Sequence, residues 1–343
     1  MKVQIKQIVF TKVNTAELLD VGEFDTDNLK PTEVLVKTEI STISSGTEKA
    51  NITGDPSCST TNAPNVSFPR CLGYSSAGYV VAIGSDVKSV SVGDKVLVTW
   101  KFHKNYNVCD VNNLVRIDDD MDFSSASLAF IATFPLNGIR KTRLEFGESC
   151  IVMGLGILGQ LAVKLARAAG ACPVIAVDYN EERRNYALKC GADYAFSPAE
   201  PDFAKKVKEV TGGGAKTAIE ITGRGEGLDM VLDCMAKFGR IALVGCTRNS
   251  NFTIDYYRKV HSPGIELHGA HTMARAQLES RPGSYVDKDD ARAVLKMVKA
   301  NRFTISDLVS EYVSPKDCFE IYSRLVEGKN YPICVQFDWS KLD

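Results

Sequence analysis

The sequence predicts an α/β protein in which a β-rich module is followed by a doubly wound parallel sheet. Residues 1–120 contain short β-branched runs such as VLVKTEIS, GYVVAIG and DKVLVTW, which Gly, Pro, Asn and Asp interrupt. Such runs are typical of strands and turns. From Ser124 onward, strand patterns alternate with helical patterns. Repeated β-α-β units of this kind favour a parallel sheet with helices on both faces.

The elements of the second half follow one another in a regular order. The segment SSASLAFIATFPLNGIRKTRL has helical spacing behind a run of serines that can cap it. Strands are predicted at SCIVMG, PVIAVD, ADYAFS, KTAIEIT, RIALVG and YPICVQF. Helices are predicted at LGQLAVKLARAAG, NEERRNYALKCG, DFAKKVKEVTGG, GLDMVLDCMAKFG, DDARAVLKMVKAN and SPKDCFEIYSRLVEG.

Length and charge limit the classes of function. A chain of 343 residues suits two domains. We expect residues 126–271 to form the parallel-sheet domain, and residues 1–125 with 272–343 to form the β-rich domain. The formal net charge of −1 gives no electrostatic reason to expect nucleic acid or a membrane surface as partner. The N-terminus alternates like a strand rather than a signal peptide, so we expect a cytoplasmic protein.

A glycine-rich turn marks the parallel-sheet domain. Gly154, Gly156 and Gly159 form G-x-G-x-x-G directly after the strand SCIVM and at the start of a helix. The first glycine permits a tight turn, the second lets the backbone approach a pyrophosphate, and the third allows close helix packing. The helix N-terminus, which includes Ile157 and Leu158, offers N–H groups to phosphates. This context predicts a Rossmann-type dinucleotide-binding domain.

The choice between dinucleotides depends on Asp178, which ends the next strand, VIAVD. It lies about 20 residues beyond the glycines, where an acidic side chain accepts hydrogen bonds from the adenosine ribose. A carboxylate there repels the 2′-phosphate of NADP. Arg183 and Arg184 follow closely, and an arginine at such a place can hold a 2′-phosphate. We expect NAD in preference to NADP.

The order of these parts resembles the medium-chain dehydrogenase/reductase superfamily, which contains the zinc alcohol and polyol dehydrogenases and metal-free relatives. The resemblance lies in EVLVKTEISTISSGTE, FPRCLGYSSAGYVVAIGSDVKSVSVGDKVLV, GLGILG followed by VIAVD, and GRIALVG. It implies a GroES-like catalytic domain beside the Rossmann domain. It also implies a small-molecule substrate and a homo-oligomer, either a dimer or a tetramer.

The departures from that family concern its metal sites. In zinc members, the positions of Ser44, Tyr74 and Ala129 carry the catalytic zinc ligands. A lobe with four cysteines follows the position of GDKVLV, but the segment TWKFHKNYNVCDVNNL has one cysteine. A catalytic zinc needs about three protein ligands, so we expect no zinc of either kind. The run SSGTE at Ser44–Glu48 resembles a zinc-free branch that includes sugar- and pigment-alcohol dehydrogenases.

Without a metal, hydrogen-bond donors or a general acid/base must act on the carbinol oxygen. Tyr74 stands at a ligand position, and its phenol can donate a hydrogen bond or accept a proton. Lys49 stands where zinc members carry a proton-relay histidine. His271 offers an imidazole that titrates near neutrality, and Ser44 offers a hydroxyl. The structural alternatives are a space-filling Tyr74, a solvated Lys49 and a hydrogen-bonded His271.

Five further residues are candidates for binding. Thr47 lies in the same loop as Ser44, beside the expected cofactor. Glu48 and His103 are candidates for contact with a polyol or sugar substrate. Val244 and Gly245 offer backbone groups to the nicotinamide carboxamide.

These observations favour a zinc-independent, NAD-dependent oxidoreductase that acts on a secondary alcohol or ketone, with a sugar or polyol as the substrate class. One alternative is a quinone or enone reductase that uses NAD(P)H. Another is a non-catalytic redox sensor that binds nucleotide. A third is a metal enzyme with a relocated site built from His103, Cys109 or His271.

Overall fold

The computed structural model describes residues 1–56, 66–247, 249–328 and 331–342. The chain forms two compact units, which are Met1–Ile131 with Leu295–Asp343, and Ala132–Val294. Among the described residues, no helix is long and apolar enough to cross a membrane. The observed units and sheets confirm the predicted α/β class, with a β-rich part and a parallel-sheet part.

The unit boundaries differ from those expected, most of all at residues 272–294, which join the parallel-sheet unit. The reason is a set of polar contacts within that unit. Arg275 Nη2 donates to the Thr133 carbonyl oxygen at 3.1 Å. Arg140 Nε donates to Asp290 Oδ1 at 2.6 Å, where the Asp290 carboxylate is fully buried.

The strands in the described ranges are β1 (Lys2–Lys12), β2 (Thr15–Asp25), β3 (Glu33–Thr42), β4 (Arg70–Cys71), β5 (Ser75–Ile83), β6 (Lys95–Thr99), β7 (Tyr106–Asp110), β8 (Leu114–Arg116), β9 (Cys150–Met153), β10 (Val174–Val177), β11 (Tyr194–Phe196), β12 (Ala215–Glu220), β13 (Met235–Leu243), β14 (Glu266–Gly269), β15 (Glu311–Val313) and β16 (Val335–Asp338). The helices are α1 (Ser45–Ile52), α2 (Phe123–Lys141), α3 (Ile157–Ala168), α4 (Glu181–Lys189), α5 (Phe203–Val210), α6 (Gly225–Cys234), α7 (Asp287–Lys299) and α8 (Cys318–Glu327).

Strand β3 is central to the larger sheet of the first unit, whose order is β15-β16-β3-β5-β6-β8, with β7 also paired to β3. Its side chains alternate between two cores. Val34 and Val36 pack with valines of β5 and β6, whereas Leu35 packs with residues of β1. This alternation follows from the two-residue period of a strand. The strand ends at Thr42, two residues before Ser44.

The sheet of the second unit is entirely parallel, with the order β11-β10-β9-β12-β13-β14. Strands β9 and β10 are buried at every residue, as their apolar sequences CIVM and VIAV predict. The chain leaves β9 toward β10 and β11, and then crosses to β12 on the other side. Ligands of doubly wound sheets bind where the order reverses, beyond the carboxyl ends of the strands.

Two elements differ from the predictions. Helix α1 was not predicted, because SGTEKANI has almost no amphipathic periodicity and begins with a glycine-containing turn. The helix predicted over GLDMVLDCMAKFG is too long, since α6 ends at Cys234 and β13 begins at Met235. Met235 pairs with Ala215 of β12, and this tertiary pairing overrides the local preference of an apolar run.

Gly78 tests the close pairing of β3 with β5. A Cβ at this position would lie 1.9 Å from the Lys37 carbonyl oxygen. We expect Gly78→Ala to lower the free energy of unfolding by about 1–3 kcal/mol, because the strands must separate to admit the methyl group. Chemical denaturation measures the change. Gly269→Ala is the control, since a Cβ there meets no atom within 4 Å. Equal stability of the two variants would contradict the proposed crowding.

Candidate active site

The turn between β9 and α3 is built on three glycines. Gly154 has a φ of 93°, which residues with a side chain rarely adopt. A Cβ on Gly159 would lie 1.9 Å from the Gly154 carbonyl oxygen, so only glycine fits where α3 packs on the turn. At Gly156, the N-cap of α3, a Cβ would meet no atom within 4 Å. This open side, just before Ile157 and Leu158, is where a helix N-terminus attracts phosphate.

Asp178 follows β10 and ties the glycine turn to the neighbouring loop. Its Oδ2 accepts a hydrogen bond from the Leu155 N–H at 2.8 Å, and its Oδ1 accepts one from the Asn180 N–H at 2.8 Å. Arg183 Nη1 lies 3.9 Å from Oδ2, and Arg184 Nη1 donates to the Asp178 carbonyl oxygen at 2.8 Å. The carboxylate is therefore held at the end of β10, where the sequence predicts ribose binding.

A pocket of about 300 Å³ opens beside this carboxylate. Gly154 and Asp178 line one part of it, and Tyr179, Thr222 and Arg224 line others. Small-molecule sites begin at about this volume. The pocket thus has the volume of a small-molecule site, and the carboxylate for which the sequence predicts ribose binding lies on its wall.

Val244 and Gly245, which were predicted to end the strand RIALVG, lie just after β13, and their N–H groups are already engaged. Both donate to the Glu220 carbonyl oxygen, at 2.9 and 3.0 Å. A backbone contact of these two residues with the nicotinamide carboxamide would therefore use their carbonyl groups. The Glu220 side chain, which sequence analysis did not single out, accepts from the Thr222 and Gly223 N–H groups at 2.8 and 3.2 Å. Burial raises the pKa of this carboxyl.

In the first unit, Tyr74 and Ser44 form a pair of hydroxyls. The Tyr74 phenol donates a hydrogen bond to Ser44 Oγ. Tyr74 immediately precedes β5, and Ser44 is the N-cap of α1. Only 8% of Tyr74 and 4% of Ser44 are exposed. Two predicted catalytic residues, separated by 30 positions in the sequence, are thus in direct contact.

Two aromatic side chains surround the phenol ring of Tyr74. The ring centroids of Trp100 and Phe130 lie 5.8 and 6.3 Å from that of Tyr74. Phe130 is buried, whereas 42% of Trp100 is exposed. Sequence analysis did not single out Trp100, although an aromatic residue directly after the strand DKVLVT was a usable signal. The indole ring gives the hydroxyl pair an accessible apolar wall.

Glu48 and His103 were expected to contact substrate, but the structure places them inside the first unit. Glu48 is 0% exposed and His103 is 1% exposed. Glu48 Oε1 accepts the Ser44 N–H at 2.8 Å, and His103 Nε2 lies 3.2 Å from Oε2. The Tyr322 hydroxyl also donates to Oε2. Burial therefore makes Glu48 and His103 internal partners of each other, and the expected substrate contacts do not fit this geometry.

Lys49 and Thr47 lie on α1. The Lys49 ammonium stands at the carboxyl end of α8, 2.9 Å from the place that a Cβ of Gly328 would occupy. A cation is favoured there by the helix dipole. The Thr47 carbonyl oxygen accepts from Asn51 Nδ2 at 2.8 Å. The proton-relay role of Lys49 and the cofactor contact of Thr47 stay predictions.

His271 is exposed and lies in the second unit, just after β14. Its Nδ1 accepts a hydrogen bond from the Met273 N–H at 3.2 Å. A neutral imidazole that accepts through Nδ1 carries its hydrogen on Nε2. His271 is therefore arranged to donate a hydrogen bond through Nε2.

Potential metal ligands are dispersed over the described residues. No group of three or more His, Cys, Asp or Glu side chains there could hold a metal ion. Of the residues considered for a relocated site, His103 is engaged with Glu48, and Cys109 is buried against the Val34 carbonyl oxygen. Burial raises the pKa of Cys109 to about 12, which disfavours the thiolate that binds metal.

Two protein-family models match the two parts of the chain. The alcohol dehydrogenase GroES-like domain matches residues 30–126, and the zinc-binding dehydrogenase domain matches residues 158–280. An L-threonine 3-dehydrogenase of Pyrococcus furiosus is 30% identical over 269 residues, which are 70% of this chain and 76% of that enzyme. The chain belongs to the medium-chain dehydrogenase/reductase superfamily. Within it, the chain is of the zinc-type alcohol dehydrogenase-like kind, as the sequence motifs indicated.

Other curated relatives of this medium-chain dehydrogenase/reductase carry different enzyme names. A D-guloside 3-dehydrogenase of Escherichia coli is 34% identical over 214 residues, which cover 62% of this chain and 60% of that enzyme. Another L-threonine 3-dehydrogenase, from Thermococcus kodakarensis, is matched over 65% of its own length. The chain therefore spans less than two thirds of some of its curated relatives.

The fold of this superfamily member is also that of solved relatives. The crystal structure of the 2R,3R-butanediol dehydrogenase of Bacillus subtilis superposes with a TM-score of 0.81 at 20% identity. The superposition covers 97% of this chain and 99% of that one. The GroES-like and Rossmann architecture predicted from the sequence is thus confirmed.

The glycine turn between β9 and α3 gives a paired prediction. We expect Gly159→Ala to lower the melting temperature, because its Cβ would overlap the Gly154 carbonyl oxygen. We expect Gly156→Ala to keep the melting temperature but to weaken dinucleotide binding, because its Cβ would point into the open side of the turn. Thermal unfolding and NADH fluorescence titration measure the two effects. Unchanged NADH affinity in Gly156→Ala would contradict the placement of the phosphates.

Proposed function

We propose that this protein is a zinc-independent, NAD-dependent dehydrogenase that transfers hydride between nicotinamide and a secondary alcohol or the corresponding ketone. The observation that carries the proposal is the hydrogen-bonded Tyr74–Ser44 hydroxyl pair, since the resemblance implies that zinc members carry metal ligands at these two positions. A dinucleotide-type glycine turn in the second unit supports the same reaction class. The relatives named above, which are dehydrogenases of threonine, a guloside and butanediol, support an alcohol as substrate.

The donor set around Tyr74 does not fit a catalytic zinc. Zinc in enzymes is bound by thiolate, imidazole or carboxylate groups. Ser44 and Tyr74 offer neutral hydroxyls that already bond to each other, and Ser75 Oγ donates to the Ser127 carbonyl oxygen. Ala129 offers no donor at all. No step of the proposed reaction therefore involves a metal.

The hydroxyl pair can act on the substrate oxygen in place of a metal. Bound NAD supplies the hydride acceptor for oxidation, and NADH supplies the hydride donor for reduction. As a ketone is reduced, negative charge grows on its oxygen, and preorganised hydroxyl donors stabilise that charge. Because the Tyr74 phenol donates its hydrogen to Ser44 Oγ, the Ser44 hydroxyl keeps its own hydrogen for the substrate oxygen, and the phenol makes Ser44 a stronger donor. During reduction, the Ser44 hydroxyl transfers its proton to the oxygen that receives this charge and takes the Tyr74 phenol proton in its place, and water reprotonates Tyr74. During oxidation, the proton of the alcohol moves along the same path in the opposite direction.

The substrate class is a sugar or polyol. Glu48 cannot support this choice, because its carboxylate is buried, but Trp100 does. Its exposed indole lies beside the Tyr74 ring, and the C–H face of a sugar ring can pack on an aromatic face of this kind. The D-guloside 3-dehydrogenase relative supports the same class.

Asp178 supports NAD over NADP. Its side chain is 13% exposed, and its negative charge lies on the pocket wall that would receive the 2′-phosphate of NADP. The neighbouring guanidinium of Arg183 lies toward this carboxylate. The wild-type protein should therefore use NAD with the lower KM.

The cofactor choice predicts the behaviour of Asp178→Ala. We expect the KM for NAD to rise about tenfold, because the ribose loses a hydrogen bond to a charged group worth about 1.5–3 kcal/mol. The KM for NADP should fall or stay constant. Steady-state kinetics with both cofactors measures the change. Asp233→Asn, in the same unit but paired with Lys259, should leave both values unchanged. A wild-type preference for NADP would contradict the assignment.

Tyr74→Phe tests the hydroxyl chemistry. We expect kcat on a panel of sugars, polyols and keto-sugars to fall about a hundredfold or more, since the Ser44 hydroxyl loses the phenol that polarises it and replaces its proton. NADH absorbance follows turnover, and NADH binding should be unchanged. Tyr79→Phe is the matched control, because Tyr79 lies on β5 but is 37% exposed. Unchanged kcat in Tyr74→Phe would refute the role of the phenol.

The same panel separates the other reaction classes. Reduction of quinones or enones without turnover of any alcohol would favour an enone reductase. NADH binding without turnover of any alcohol, ketone or quinone would favour a redox sensor. Either result would refute the proposed activity while leaving the dinucleotide site intact.

A further inference from the structure

Hydrogen-bond donors from three separate parts of the chain surround the Glu48 carboxylate. Oε1 accepts the Ser44 N–H at 2.8 Å. His103 Nε2 lies 3.3 and 3.2 Å from the two carboxylate oxygens. The Tyr322 hydroxyl, on α8, donates to Oε2. A carboxylate that is 0% exposed is stable only with such partners, because burial of an unpaired charge is very unfavourable.

One of these contacts fixes the loop that carries Ser44. Glu48 is four residues beyond Ser44, on the first turn of α1, so its carboxylate bonds back to the residue that begins the helix. A carboxylate near a helix N-terminus is also favoured by the helix dipole. The position of the Ser44 backbone, and with it the Ser44 hydroxyl, therefore depends on where Glu48 is held.

His103 also supports Tyr74, the other member of the hydroxyl pair, because it packs on Gly73, the residue just before Tyr74. A Cβ on Gly73 would lie 2.6 Å from the His103 backbone N and 2.8 Å from its ring. The His103 N–H donates to the Leu72 carbonyl oxygen at 2.9 Å. His103 therefore packs directly on Leu72 and Gly73, the two residues before Tyr74. The Nε2 atom of His103 faces Glu48. The backbone and the ring of His103 support the two residues that lead to Tyr74.

The orientation of the imidazole is itself fixed. His103 Nδ1 lies 2.7 Å from Ser41 Oγ, and that oxygen accepts the Trp339 Nε1–H at 2.9 Å. Because Ser41 Oγ accepts from Trp339, its own hydrogen is available to Nδ1, and Nε2 then carries the hydrogen that points to Glu48. The ring edge also packs against Phe337, at 5.3 Å between centroids. All of these residues belong to the first unit.

We propose that His103 and Tyr322 are positioning residues that hold the Ser44–Tyr74 hydroxyl pair in its reactive geometry through Glu48 and Gly73. This proposal rests on the proposed function, because it requires the Ser44–Tyr74 pair to act on the substrate. It gives a role to two buried residues that do not touch substrate. Misplacement of a reacting group by about 1 Å can slow an enzyme about a hundredfold.

Kinetics of His103→Leu and Tyr322→Phe test the proposal. We expect kcat to fall about ten- to a hundredfold while the KM for NAD stays constant, because the hydroxyls move and the dinucleotide site does not. His103→Gln should recover most of the kcat, since its amide N–H can replace Nε2–H toward Glu48. Tyr331→Phe is the control for Tyr322→Phe. Tyr331 borders the same core, and its hydroxyl has no hydrogen-bond partner among the described residues.

A double-mutant cycle distinguishes positioning from general support of the fold. If His103 acts through the hydroxyl pair, His103→Leu in the Tyr74→Phe background should lower kcat further by less than about twofold. An equal fall of kcat in the two backgrounds would overturn the proposal. If His103→Leu does not fold, Tyr322→Phe replaces it in the double-mutant cycle with Tyr74→Phe.

Hydrogen–deuterium exchange provides a readout that needs no turnover. We expect faster exchange in the segment from residue 41 to residue 52 in Tyr322→Phe and His103→Leu, and wild-type exchange in His103→Gln and Tyr331→Phe. Unchanged exchange in the first two variants would refute the positioning role. Altered exchange in a protein that oxidises no alcohol would instead refute the proposed function and keep the structural link.

Discussion

The Glu48 carboxylate has no access to water, and this single constraint organises the first unit around the candidate site. A buried charge must be met by donors, and here they come from the start of α1, from the segment between β6 and β7, and from α8. Elements far apart in the sequence therefore converge on one side chain. The Ser44 and Tyr74 hydroxyls meet where α1 and β5 begin.

The second unit uses carboxylates in a similar way. Asp178 accepts backbone N–H groups of Leu155 and Asn180, and Glu220 accepts those of Thr222 and Gly223. Asp178 thereby fixes the loop after the neighbouring strand β9 and the loop after its own strand, β10. Glu220, the last residue of β12, fixes the loop that follows β12. Hydrogen bonds to charged acceptors are stronger than neutral ones, so they hold such loops in place. Glu48 does the same for the Ser44 loop.

Features of the fold with local causes could be predicted from the sequence. The strand β9, the glycine turn and Asp178 were recognised because spacing alone specifies them. The length of α6 was not, because Met235 pairs with Ala215 of another strand. Only the resemblance to zinc enzymes assigned Tyr74 and Ser44 to one site, and their hydrogen bond to each other was not predicted. The burial of Glu48 could not be foreseen, since its partner Tyr322 lies 274 residues away.

The central claim is that side-chain hydroxyls, rather than a metal, polarise the C–O bond of the substrate. Zinc bound per chain, measured together with turnover before and after dialysis against a chelator, tests this most directly. The account predicts active protein with far less than one zinc per chain and full turnover after chelation. One zinc per chain, whose removal abolishes turnover and whose return restores it, would contradict the account.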